Sequence, residues 1–249
     1  MISYIGTNRK RDGVVTILGE VVIVAFTAHS YVWKHPYRFK KCLKYYPFSI
    51  VEIDPQDEKL ISATASLLDQ AFGTTHYPRF TSASLAKIVS DRKHTNCATV
   101  ALVINDIVAS TVGWEFRDYD LDGRLIRLPT LSDGATASQY ARAGFATLLN
   151  VVAFSRAIED GLCPVRNGRF LFAITPSFAV TDEFLSDTHL SWEDHLQEVP
   201  GALTIMAMRE IQGISSIEYG PLFPSTHRPG HMCILMLIYL NPEIIFRGT

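Results

Sequence analysis

The sequence predicts an α/β (α+β) domain built on a mixed, mostly antiparallel central sheet flanked by helices. Three observations carry that expectation. Residues 97–131 read as a meander of three strands, residues 144–161 as one strong helix, and RFLFAIT (169–175) and MCILMLIYL (232–240) as later buried strands. A meander followed by strands alternating with helices gives a sheet covered by helices.

Near the N-terminus, two β-branched runs, Val14 to Leu18 and Val21 to Phe26, flank Gly19-Glu20. Glycine in the first position of a two-residue turn is the mark of a type II′ hairpin. The same stretch is too short to span a bilayer and carries Glu20 in its middle, and no small-residue cleavage site follows it. A soluble, cytoplasmic protein is expected. A basic, aromatic run over 33–41 follows, read either as a solvated connector whose aromatic stems cover a sheet edge or as a patch for an acidic partner. A boundary near Pro47 divides the chain into an extension with a β-hairpin (1–48) and the main domain (49–249).

From Ser49 the elements become regular. Ser49 to Ile53 reads as a strand, and Asp54-Pro55 as the cap and first turn of a helix that places Leu60, Ile61, Ala65, Leu67, Leu68 and Ala71 inward and stops at Gly73. Residues 74–79 read as a loop and Ser82 to Asp91 as a second helix, with Leu85 and Ile88 inward. Then the period changes to two. The meander runs 97–104, a tight turn at Asn105-Asp106, 107–116, a polar turn at 118–123, and 124–131. A small-residue loop at 132–138 leads to the long helix. Short helices are expected at 180–185 and 191–196, and a further apolar run at 201–210.

Composition narrows the function. The chain has 249 residues, 47% of them hydrophobic, which supports a packed core and excludes wholesale disorder. Lys and Arg number 23 against 25 Asp and Glu, a net charge of −2, which is no footprint for a nucleic-acid backbone. The four cysteines form no Cys-x-x-Cys pair and read as buried reduced thiols. His227 and His231 stand four apart, but Pro229-Gly230 breaks any helix between them, so no metal site is expected. No Gly-x-Ser-x-Gly and no Walker loop occurs.

The segment 140–149, YARAGFATLL, opens the long helix after a strand and a loop. Unpaired N–H groups at a helix start, with the helix dipole, form an anion site. Small residues at Ala141, Ala143, Gly144 and Ala146 let a phosphate approach that backbone, and Arg142 adds a positive charge. Close packing of the helix on a strand asks for small residues as well.

With the element order, AGFATLL after the third meander strand resembles the GNAT acyltransferase superfamily. Gly144 and Ala146 match the last two positions of its Gln/Arg-x-x-Gly-x-Gly/Ala motif, whose first position here is Ala141, with Arg142 one residue on. The resemblance implies an acyl-coenzyme A donor, acetyl-CoA or a longer acyl-CoA, with its pyrophosphate at Arg142, Ala143, Gly144, Phe145, Ala146 and Thr147. It implies backbone amides near Leu131 and Ser132 for the pantetheine, in a cleft where two parallel strands splay. An amine, small-molecule or peptide, would attack the thioester directly, with a backbone N–H on the oxyanion and a base taking the ammonium proton. Glu115 and Asp133 are the carboxylates nearest that site and would also serve as ordinary surface charges. Where the family often carries a Tyr as acid, this chain has Phe184. Ile217 to Leu222 (IEYGPL), with Arg127-Leu128, is similar to the acyl-homoserine-lactone and N-acyl amino acid synthases of the same fold. That likeness implies acyl carrier protein as donor, steered by the basic run at 33–41. A GNAT-fold binding module without chemistry is the non-enzyme alternative.

Overall fold

Glycine at the turn sets the first hairpin. Lys10–Leu18 (β1) and Val21–Phe26 (β2) pair antiparallel with Leu18 opposite Val21, and Gly19 takes φ 63° while Glu20 stays at negative φ. That is the type II′ pattern. The computed structural model describes residues 10–26, 30–34, 45–73, 79–121, 123–179, 207–211, 213–225 and 230–241. Ser30–Lys34 (β3) adds to β2, and its Trp33 is only 2% exposed. Trp33 and Lys34 therefore lie in a strand, and the aromatic ring seals the core; the rest of the expected basic run, 35–41, falls outside the described residues.

Tyr45–Glu52 (β4) pairs with β1 on one side and with Thr99–Ile104 (β5) on the other. This strand runs through position 48, so β1–β3 continue the same sheet as the rest of the chain. Glu58–Phe72 (α1) is capped by Asp57, whose carboxylate accepts from the Leu60 N–H at 3.0 Å, while Asp54 accepts from the Gln56 N–H. The cap is thus three residues later than the sequence suggests, because Pro55 and Gln56 form a turn before the helix begins. Ser82–His94 (α2) starts with a Thr81–Ser84 capping box.

Ile107–Leu121 (β6) and Arg124–Thr136 (β7) form a long antiparallel ribbon after β5. Asn105 and Asp106 both have positive φ, as a two-residue I′ turn requires. The polar turn expected at 118–123 and the loop expected at 132–138 are largely strand. Asp118 and Asp120 are exposed and Tyr119 is buried, a period-two alternation on a strand wetted on one face.

Phe145–Glu159 (α3) crosses over from β7 to Arg169–Ile174 (β9), which pairs with the two-residue strand Val165–Arg166 (β8). Ser177–Ala179 (β10), Ile214–Pro224 (β11) and His231–Leu240 (β12) bring the sheet to twelve strands among the described residues. The β12 residues Cys233 to Leu240 are all buried, and β12 lies between β9 and both β10 and β11. Of the described pairings, β7–β9 alone is parallel. One core joins α3 to β1, β2, β4, β5 and β6; a second packs α1 and α2 on the opposite face. The helices expected at 180–185 and 191–196 lie outside the described residues, and of 201–210 only 207–210 is described.

Candidate active site

The two strands that form the parallel pair touch over a short distance. Their ladder consists of Thr130 with Ala173 and Leu131 with Ile174, and beyond those pairs the strands no longer bond to each other. At that point β7 also loses register with β6: Thr111 faces Ala135, but Gly113 faces Ser132, so β7 holds an extra residue. Such a bulge bends its strand and re-aims the local groups. Asp133 lies in it at φ 51°, a left-handed conformation uncommon for a residue with a side chain.

The expected site residues divide between the two faces of this cleft. Leu131 is buried in the core beside α3, while Ser132 and Asp133 are half-buried. Glu115, on β6, is also half-buried. The structure brings Asp133 and Glu115 together on one side chain that the sequence did not single out, Arg92 in the last turn of α2. Its Nη2 binds Asp133 Oδ2, donates to Ser132 Oγ at 2.5 Å and lies 3.6 Å from Glu115 Oε2. Its Nη1 donates to Thr99 Oγ1 at 2.9 Å. Glu115 Oε1 in turn accepts from Arg117 Nε at 2.8 Å. Neither carboxylate is an isolated surface charge: two arginines and two acids form one near-neutral cluster across β5, β6, β7 and α2. The one signal in the sequence was Gly113 inside an apolar strand, a mark of close approach. A Cβ there would overlap Arg92 Nη1.

The other half of the site is the start of α3. Gly144 is its N-cap at φ 78°, and no side chain caps the helix. The first intrahelical bond here runs from Leu148 N–H to Gly144 C=O, which leaves the N–H groups of Phe145, Ala146 and Thr147 for an external acceptor. Arg142, exposed, takes φ 65° just before the cap. Ala143, Phe145 and Thr147 are buried, so only their backbone can face a ligand; Ala146 is half-buried. Packing also claims the small residue at 144. A Cβ on Gly144 would lie 2.9 Å from the Trp33 ring and 3.4 Å from Val22. Both reasons for small residues at this helix start therefore operate, packing at 143–144 and an uncapped backbone at 145–147.

The sheet order, the single parallel seam and the crossover helix after a bulged strand can be set against known structures. A ribosomal-protein-alanine N-acetyltransferase from Brucella melitensis superposes with a TM-score of 0.50 at 11% identity, over 77% of this chain and 99% of that one. The two share a fold. A GNAT-family acetyltransferase from Streptococcus pneumoniae (TM-score 0.45, 15% identity, 78% and 99% covered) and an aminoglycoside 6'-N-acetyltransferase from Enterococcus faecium (0.48, 15%, 78% and 97%) are further neighbours. No protein-family model matches the sequence, and no curated protein matches it.

Gly220 and Pro221 sit inside strand β11 at a register shift between Tyr219 and Leu222, where Gly220 packs on Leu235. Among the described residues no group of three or more His, Cys, Asp or Glu is placed to hold a metal ion, and no helix is long and apolar enough to cross a membrane. Cys97, Cys163 and Cys233 are buried, and burial pushes the Cys163 thiol up to about 12.

Proposed function

We propose that the protein is an N-acyltransferase, moving an acyl group from acyl-coenzyme A to a primary amine. The observation that carries this reading is the coincidence of three features at the end of the parallel seam: the strands part after Leu131 and Ile174, β7 bulges at Asp133, and α3 begins uncapped. The N–H groups of Phe145, Ala146 and Thr147 hold the donor's pyrophosphate, with Arg142 supplying charge and Ala143 and Gly144 keeping the approach narrow. Main-chain groups at Leu131 and Ser132, at the point where β9 departs, bond the pantetheine arm and polarise the thioester carbonyl. Asp133 takes the ammonium proton, with Glu115 as the nearby second carboxylate. The amine then attacks the carbonyl carbon, the C–N bond forms, the C–S bond breaks, and the thiolate takes the second nitrogen proton. Residues 1–48 are an extension on this machinery, whose Trp33 braces the α3 start.

Calorimetry with coenzyme A and acetyl-CoA tests the donor, and thiol release with a panel of amines tests turnover. An N-terminal alanyl peptide heads the panel, after the Brucella neighbour; lysyl peptides and free amino acids follow. Saturable one-to-one binding with turnover is expected, and absence of coenzyme A binding refutes the reading. A second reading, a binding module without chemistry, is favoured by the arginine pairing of both carboxylates and would give binding with no turnover on any amine. Use of acyl carrier protein rests on the likeness at 217–222 and Arg127-Leu128; of the basic run that would steer the carrier, 35–41 lies outside the described residues.

A further inference from the structure

We infer that Arg92 is a positioning residue, which holds the β7 bulge and presents Asp133 with one oxygen anchored and the other open. The inference rests on the acyl-transfer reading above. Arg92 stands in the last turn of α2, where a basic side chain ordinarily lies in solvent beside the helix dipole. Its neighbours Lys93 and His94 are exposed, but its own side chain is 4% exposed. A guanidinium leaves water only where its donors and charge are met inside.

Those partners come from three strands. Thr99 on β5 accepts from Nη1; Ser132 and Asp133 on β7 accept from Nη2; Glu115 on β6 faces the same nitrogen at 3.6 Å. Nε is buried with no partner, so the side chain is placed by its two terminal nitrogens. Gly113 opens the space, since a Cβ there would overlap Nη1. A structural ion pair needs none of this convergence on a bulge. Here the guanidinium ties both side chains of the Ser132-Asp133 pair, at the place where β7 and β9 part and where Asp133 is held at φ 51°.

Anchoring follows the logic of an oriented base. Asp133 Oδ2 is bound by Arg92, while Oδ1 has no hydrogen bond among the described residues. Glu115 Oε1 is bound by Arg117 and its Oε2 faces Arg92, so the cluster leaves Asp133 as the carboxylate with an open oxygen. A base held by a third group is ready to accept a proton without reorienting. In the step proposed, the alkylammonium gives one proton to Asp133 Oδ1, the neutral amine attacks the acyl carbon, and the thiolate leaves with the second proton. Arg92 touches none of the reacting atoms.

Gly113→Ala is the discriminating variant. It keeps the arginine and its charge but places a methyl where Nη1 lies, and φ at Gly113 is not in the positive range, so the backbone accepts alanine. Arg92→Met removes the charge, and Asp133→Asn removes the base. Coenzyme A affinity is measured by calorimetry, kcat and KM by thiol release from acetyl-CoA with the amine the panel selects, and folding by circular dichroism. With the wild type active, Gly113→Ala should lower kcat at least tenfold while its Kd for coenzyme A stays within threefold of wild type. On the Asp133→Asn background, Gly113→Ala should lower kcat less than twofold further. Unchanged kcat in folded Gly113→Ala, or equal fold-losses on both backgrounds, overturns the positioning role. If Arg92→Met fails to fold, the Gly113→Ala cycle decides alone. Wild-type protein that binds no coenzyme A, or binds it without turnover, overturns the acyl-transfer reading and this role with it. A loss confined to Gly113→Ala, against an active wild type, bears on Arg92 alone.

Discussion

Gly144 carries two demands at once, and alanine there separates them. The residue sits at φ 78°, where a side chain costs roughly 1–2 kcal/mol. Its new Cβ would also lie 2.9 Å from the Trp33 ring and 3.4 Å from Val22, where ordinary carbon contacts begin near 3.5 Å. Trp33 is 2% exposed and Val22 fully buried, so neither retreats freely, and forced overpacking of this kind costs about 1–3 kcal/mol. Gly144→Ala is therefore expected to lower unfolding free energy by about 2–5 kcal/mol in urea titration, the sum of the two costs. Trp33→Leu removes the ring that the methyl meets, at a cost of its own in lost packing. In the double variant the steric cost vanishes and the backbone cost stays, so the two changes should couple favourably by about 1–3 kcal/mol. A Gly144→Ala change below about 0.5 kcal/mol, or a coupling near zero, would show that β3 does not brace the helix start.

Three further outcomes follow from the same geometry. Arg142→Glu reverses the charge beside the uncapped first turn of α3 and should weaken coenzyme A at least tenfold in calorimetry. Thr81→Ala breaks the Thr81–Ser84 capping box and should cost about 1 kcal/mol by chemical denaturation, as lost N-caps do. Cys163 titrates at about 12 when folded, above the roughly 8.5 of a free thiol. The native state keeps that proton while the unfolded chain loses it, so stability is full below about pH 8.5 and falls as pH rises from there toward 12. Cys163→Ala should flatten that part of the stability–pH curve, and iodoacetamide mapping at pH 8 should leave native Cys163 unlabelled.

Much of the fold was legible because local chemistry dictated it. Gly19-Glu20 and Asn105-Asp106 name their turns, and the apolar stripe after Gly144 names its helix. The strand ends at 118–121 and 132–136 were not legible, since a ribbon exposed on one face carries Asp, Tyr, Asp, or Ser, Asp, Gly, and those residues also spell turns. The helix cap at Asp57 was missed for a similar reason, Asp54-Pro55 offering an equally good local signal. Of the site, the start of α3 could be read, but the cluster on Arg92 could not. Its members come from four elements, and nothing near residue 92 announces that Ser132 and Asp133 wait at the far end of another strand. Nor does the sequence show Trp33 over Gly144, a contact that exists only because β3 is added to the sheet.

The parallel seam has a consequence for how the molecule comes apart. Two residue pairs stitch the sheet of β1–β7 to that of β8–β12, whereas every other junction along the sheet path from β9 to β3 is a longer antiparallel ladder. Thr130 and Ala173 are also far apart in sequence, with all of α3 between them, so this junction closes a long loop for little backbone bonding. It is the place where the sheet should part first under denaturant or force, leaving two antiparallel pieces linked by a helix. What holds the pieces together at this short ladder is side-chain packing, with Phe172, Ile238 and Leu240 in one core with α3 and Leu128 packed against Leu171 and Ala173.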